Sequence, residues 1–460
     1  MNTISKIPVF SSPAQVSTRV GEGRPGVVST FSWAKTLDGW ALFAFSVGVM
    51  FLFGRGEQRT LGIIMGASFF LAHVLHVNRS LRRLTPIPPE ILLYSAWVIW
   101  VGVTGPFVAF DLSMFWKGFR VLAQMFVMVW LAYAILANQK NPDVLFLGIL
   151  IGGVVQIALV FSGASHPEAL LTSVDREMGS STNPNGLGFA MVWTVICAFL
   201  FWRQRETQSK ALKAVFFSLL PLAVYVLLAS GSRKSSLAMG AVLLSWFTFA
   251  TSKGRGPKKT IAVLFFGSIA LYSFWTFVPG LIENTPVGRR FEKFREEGRG
   301  DLFVATKEQS RYRMYVDGLD ISSKHPIFGV GLNNFGEHFY TGQYSHSNYI
   351  EPLATTGLFG LLLYQAFYLI LIIRSWNLLK KTREEFTRYR LKIVMIGVLA
   401  IMLIGVGAPH YTNQPVYLLL TAFSVYTWRL RLHSRTSNSL QLQQNELFQN
   451  DQKRLNPLPS

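Results

Sequence analysis

The chain has 460 residues, 50% of them hydrophobic, 14% aromatic and only 15% charged, too apolar a balance for an ordinary soluble domain of this size. Its formal charge of +20 does not make it a nucleic-acid binder, because the basic residues form short clusters between apolar runs rather than one basic face or tail. A single cysteine, Cys197, lies in an apolar run, so neither an intrachain disulfide nor a cysteine metal site can form.

Residues 1–37 are a Ser/Pro/Gly-bearing, mildly basic leader without an apolar stretch, expected to be cytoplasmic and not a secretory signal peptide. About 20 apolar residues cross a bilayer core, and about twelve such runs follow. They span 38–54, 60–77, 90–110, 119–137, 143–162, 187–202, 211–230, 235–251 and 260–280, then 349–373, 391–408 and 415–430. The expected fold is an all-α polytopic membrane protein, with helices 1–9 in 38–280, a long external loop at 281–348 and helices 10–12 in 349–430. The segment 431–460 is rich in Gln, Asn and Ser, lacks apolar periodicity and is expected to be a disordered cytoplasmic tail.

Basic clusters orient the set. Arg79/Arg82/Arg83, Arg203/Arg205/Lys210/Lys213, Lys253/Arg255/Lys258/Lys259 and the run from Arg374 to Lys392 fall in alternate connections, and Arg429/Arg431/Arg435 join the same side. Both termini are therefore expected in the cytoplasm. Arg55 with Arg59, and Lys117 with Arg120, fall on the external side against this rule.

The long loop carries the informative residues, since a connection of that length inside a compact bundle is usually functional. A charged stretch, Phe291 to Glu297, reads as a short solvated or interfacial helix, and Gln309 to Leu319 has helical apolar spacing. His325-Pro326-Ile327-Phe328-Gly329-Val330-Gly331 reads as a turn. His346-Ser347 then precedes nine residues and Gly357-Leu358-Phe359-Gly360, which puts a lone imidazole at the mouth of a membrane helix, opposite the basic loops.

This ordered set resembles the O-antigen ligase and O-antigen polymerase superfamily. It comprises Ser310-Arg311 with an aromatic at Tyr315, His325 to Gly331, and His346-Ser347 followed by Gly357 to Gly360. Upstream, Arg176 to Gly179, Asn183-Pro184-Asn185 and Ser230-Gly231-Ser232-Arg233 extend the resemblance over roughly residues 175–375. Tyr315 departs from the family's usual Trp. The resemblance implies a GT-C-type glycosyltransferase in the bacterial inner membrane with its active site facing the periplasm. Its donor would be an undecaprenyl or other polyprenyl diphosphate-linked oligosaccharide. A polymerase would deliver the glycan to another carrier-linked repeat, a ligase to the lipid A core. The implied partners are that donor, an acceptor glycan and membrane lipids, with no nucleic acid.

The chemistry of the residues agrees with this. Cleaving an anomeric bond to a diphosphate releases an anion, and with no carboxylate-rich metal site in the sequence and no cofactor expected, fixed cations must meet that charge. The planar fork of arginine binds phosphate bidentately, which makes Arg233 and Arg311 the expected clamps. The attacking hydroxyl must lose a proton, and an imidazole titrates near neutrality, so His346 is the expected general base. Arg313, Arg176, Asn185, Ser347 and Asn348 are expected to bind substrate. Other readings stand beside these: His346-Ser347-Asn348 also suits a helix N-terminus, and Arg233 with Lys234 also suits neutralisation of lipid phosphates. A secondary transporter is disfavoured because the helix interiors are nearly free of charge. The absence of an acceptor signature in the loop favours a polymerase-type transfer over ligation to lipid A core.

Overall fold

The computed structural model describes residues 37–52, 66, 86–138, 142–163, 184–202, 210–250, 310–338, 344–411 and 413–455. These residues form α-helices and no β-strand: α1 Leu37–Leu52, α2 Pro89–Val108, α3 Leu112–Asn138, α4 Asp143–Phe161, α5 Pro184–Phe201, α6 Lys210–Ala229, α7 Arg233–Ser245, α8 Ser310–Lys324, α9 Ile350–Lys381, α10 Glu385–Gly405 and α11 Gln414–Leu455. The expected spans 60–77 and 260–280 lie outside the described residues, Gly66 apart, as do the leader up to residue 36 and the charged stretch 291–297.

Large apolar side chains face outward as well as inward, unlike those of a water-soluble bundle. On α2 the stripe Ile99, Val103 and Phe107 is 61%, 61% and 86% exposed, while Tyr94, Trp97 and the buried carboxylate of Glu90 face inward. Exposed Leu358, Leu362, Leu369 and Ile373 make a similar stripe on α9. A surface this apolar is stable against lipid and not against water. Among the described residues, four helices, α2, α3 up to Ala137, α4 and α9, are long and apolar enough to cross a membrane.

Helices pair closely where small residues permit it. Gly148 and Gly152 on α4, one turn apart, approach Ser46 and Met50 on α1, and Gly153 meets Thr194 on α5. Small-xxx-small spacing lets backbones come together, and dispersion contacts then replace the hydrophobic drive that lipid does not supply. Because Ser46 pairs with Gly148 and Met50 with Gly152, α1 and α4 run parallel.

Two ion pairs stand at one end of the bundle. Arg374 of α9 pairs with Glu90 at the start of α2, with Ser424 and Thr427 of α11 completing its hydrogen bonds. Arg390 of α10 pairs with Asp143 at the start of α4 and lies over the ring of Tyr426. Both arginines belong to a run read from sequence as a topology-setting cluster, yet both are buried and neutralised by carboxylates from distant helices. Only the remaining basic residues of that run can act as surface charge.

Three boundaries differ from expectation. Helix α3 starts at Leu112, seven residues early, because the Asp111 carboxylate accepts from the Ser113 and Met114 amides at 2.7 and 3.1 Å and caps it. Lys117 and Arg120 therefore ride on the exposed face of its first turns rather than in a loop. The connection between α9 and α10 shrinks to residues 382–384. Finally, α11 continues through the expected disordered tail to Leu455. From Val416 to Asn456 there is no Pro or Gly, and Leu, Gln, Glu, Lys and Arg are good helix formers, so a helix already nucleated in the bundle propagates outward.

Candidate functional site

The N-terminus of α9 is built around an unusual turn. His346 adopts φ 55°, a left-handed conformation that costs a non-glycine residue about 1–2 kcal/mol. Hydrogen bonds on both sides hold it. The Ser345 amide donates to Glu351 Oε2 at 2.6 Å, and Ser345 Oγ accepts from the Ser347 amide at 3.3 Å. Ser347 Oγ in turn accepts from the Tyr349 and Ile350 amides, each at 3.3 Å, and so caps the helix. The His346 ring is half-buried, and its centroid lies 4.1 Å from that of exposed Tyr344.

Asn348 fastens this turn to the bundle. Its amide donates to the Gly405 carbonyl at 2.7 Å, and its Oδ1 accepts from the Tyr364 hydroxyl at 2.6 Å and the His410 amide at 2.8 Å. Ser347 and Asn348 were expected to bind substrate. Both are buried, and their side-chain oxygens accept the bonds that shape the turn.

The spacing from His346 to Gly357 has a physical reason. Helix α9 breaks at Gly357 (φ 72°, ψ 179°), about 10 Å beyond Ile350 at 1.5 Å per residue. The break frees backbone groups, and the 326–331 turn takes them up: Val330 N–H to Ala354 O at 3.0 Å, Gly331 N–H to Thr355 O at 2.9 Å, and Leu358 N–H to Pro326 O at 2.8 Å. Trp100 Nε1 donates to the Thr356 carbonyl at 3.1 Å. A Cβ at Gly329 or Gly357 would strike backbone atoms of the opposite segment, and both glycines have positive φ. The glycines of these motifs thus join the turn to the kink rather than touch a ligand.

Helix α8 packs on the first half of α9 through a small core of Met314, Ile321, Val330, Phe335 and Ala354. Its Tyr315 hydroxyl donates to the Val406 carbonyl at 2.7 Å. Arg311 stands one turn before Tyr315 on this helix, and Arg313 is exposed on it.

Arg233 opens α7. Gly231 (φ 65°) turns the chain, and Ser232 caps the helix by accepting from the Ser235 amide at 3.4 Å. Both Arg233 and Lys234 are half-buried. At the start of α5, Gly188 packs against Ser232 and Ser235, which brings Asn185, half-buried and one turn earlier, to the same end of the bundle.

The 406–413 connection between α10 and α11 is the meeting point. Val406 receives Tyr315 of α8, Gly407 touches the Lys234 stem of α7, and His410 holds Asn348 ahead of α9. His346, Arg233, Asn185 and the first turns of α8 therefore share one end of the bundle, opposite the buried ion pairs. Arg176 lies outside the described residues.

Sequence reasoning missed Glu351, His410 and Tyr411. Burial holds the His410 imidazole down to about 4, with Lys234 acting in the same direction, so the ring is neutral at physiological pH. A carbonyl can only accept, so the proton sits on Nε2, 2.8 Å from the Ile401 oxygen. Burial, reinforced by neighbouring Glu351, raises Tyr411 well above the usual phenol value. The available signals were a carboxylate at the head of an apolar span and a Pro409-His410-Tyr411 run between two spans.

No curated protein matches the chain. Residues 214–365, covering most of α6, all of α7 and α8 and the kinked first half of α9, match a family model described as O-antigen ligase, and this match supports the resemblance of that segment to the O-antigen ligase and O-antigen polymerase superfamily.

Proposed function

We propose that this protein is a membrane glycosyltransferase that moves a glycan from a polyprenyl diphosphate carrier to an acceptor sugar hydroxyl. The observation that carries the reading is the convergence of the His346 turn, Arg233 and the Arg311 helix on the 406–413 connection at one end of the bundle. The acceptor oxygen attacks the anomeric carbon while His346 takes its proton, and the anomeric bond to the diphosphate breaks. Arg233 and Arg311 meet the charge on the departing polyprenyl diphosphate, with Arg313, Asn185 and Arg176 around the glycan and its phosphates. Ser347 and Asn348 serve by holding the turn. A single displacement inverts the anomeric centre. The reaction is metal-independent, so transfer proceeds at full rate in EDTA, and recovery of a lost rate by magnesium would overturn this point.

The orientation belongs to the same proposal: basic connections and both termini face the cytoplasm, and the His346 end faces outward. A bundle of about twelve membrane helices is part of this proposal. The end of α1 and the start of α2 lie at opposite ends of the bundle, as do the end of α7 and the start of α8.

The acceptor is proposed to be a carrier-linked repeat, as in a polymerase. The test is the glycan profile of cells lacking this protein, complemented with wild type or His346→Ala. Accumulation of single repeats on the carrier supports the polymerase reading. Long chains stranded on the carrier assign a ligase that delivers to lipid A core, and an unchanged profile removes the glycosyltransferase reading.

A further inference from the structure

We propose that Glu351 is a positioning residue for His346, holding the backbone that carries the imidazole without itself touching substrate. The inference rests on the reading of His346 as the general base. His346 occupies a left-handed conformation in which an L side chain does not settle unaided. After it, Ser347 and Asn348 are secured by the helix cap and by Gly405. Before it, the backbone contact that secures Ser345 is the 2.6 Å bond from its amide to Glu351 Oε2.

Glu351 is fully buried, with its Oε2 on the Ser345 amide and the Tyr411 hydroxyl beside the carboxyl group. Burying a carboxyl group is costly, and an apolar residue would pack the first turn of α9 at lower cost. What the carboxylate provides is a strong acceptor for one amide, next to the residue that must be held out of its ordinary conformation. Tyr411 of the 406–413 connection lies against the same carboxylate, so the turn, α9 and the connection facing Arg233 meet at one side chain.

The test uses full-length protein in nanodiscs and in membranes of the native host, whose own carrier-linked glycan serves as donor. Three variants are compared with wild type: Glu351→Ala, Glu351→Asp, whose shorter stem withdraws the oxygen from the Ser345 amide, and Glu351→Gln, whose amide oxygen still accepts there. Ala and Asp are expected to lower turnover on the order of 10²-fold, the effect of displacing a reacting group by about 1 Å. Binding of glycan-free undecaprenyl diphosphate should stay within about twofold of wild type, and Gln should recover turnover to within about tenfold. Hydrogen exchange of residues 344–348 should accelerate in the Ala and Asp variants and stay slow in Gln. Should Ala fail to fold, Asp and Gln decide. Wild-type turnover in a folded Asp or Ala variant, unchanged exchange at 344–348, or Gln as inactive as Ala would overturn the proposal. His346→Ala is measured alongside: if it turns over normally the general-base reading fails, whereas an inactive His346→Ala beside an active Glu351→Asp removes only the role of Glu351.

Discussion

His346 lies two residues before Asn348, the His410 amide donates to the Asn348 side chain, and the two imidazoles have opposite chemical situations. His346 is half-buried on a strained turn, and the proposed mechanism makes it the general base. Replacing it with Ala should lower transfer by about 10²–10⁴-fold, while the protein still inserts and melts like wild type. Arg233→Lys and Arg311→Lys should not regain full rate, because the bidentate fork is lost; transfer assays in host membranes check all three, and full activity of the lysine variants would mean simple charge balance. His410 is fully buried and its folded-state value is held at about 4. Above pH 6.5 it is neutral both folded and unfolded. As pH falls below 6.5 the unfolded chain takes up a proton that the folded chain refuses, so stability declines until about pH 4 and then levels off. The loss is up to about 3 kcal/mol. Thermal melts from pH 7.5 to 4 should show this slope, and His410→Gln should flatten it.

Between α8 and α9, the motif glycines set the geometry. Gly329→Ala and Gly357→Ala each put a Cβ against backbone and force an L residue into positive φ, so each should cost at least about 2 kcal/mol. Gly240→Ala on α7, where nothing lies within 4 Å, should change stability by less than about 1 kcal/mol. Melting temperatures of the three variants separate these cases. The helices themselves were legible in the chain: α2, α4, α5 and α6 begin and end within a few residues of their apolar runs, because length and hydropathy alone decide what can occupy a bilayer. The start of α3 and the extension of α11 were not, since a capping carboxylate and plain helix propensity carry these helices past the apolar residues.

Across the bundle, the two buried ion pairs tie α2 to α9 and α4 to α10 at the end opposite His346. Removing one member leaves an uncompensated buried charge, so Arg374→Ala should destabilise by about 3–5 kcal/mol. The double variant Glu90→Gln/Arg374→Met should recover much of that, and thermal unfolding in nanodiscs tests the difference.

The sequence by itself determined the membrane class, the order of the helices, and the candidates His346, Arg233 and Arg311, because hydropathy, charge clusters and motif spacing are local properties of the chain. Only the tertiary structure decided that the side-chain oxygens of Ser347 and Asn348 accept hydrogen bonds within a turn and that Arg374 and Arg390 are buried partners rather than surface charges. It alone brought Glu351, His410 and Tyr411 into the neighbourhood of His346. The reason is that hydrogen-bond partners 62 residues apart, such as Asn348 and His410, or ion-pair partners 284 apart, such as Glu90 and Arg374, leave no periodic trace in a single sequence. Their pairing exists only once the helices have packed.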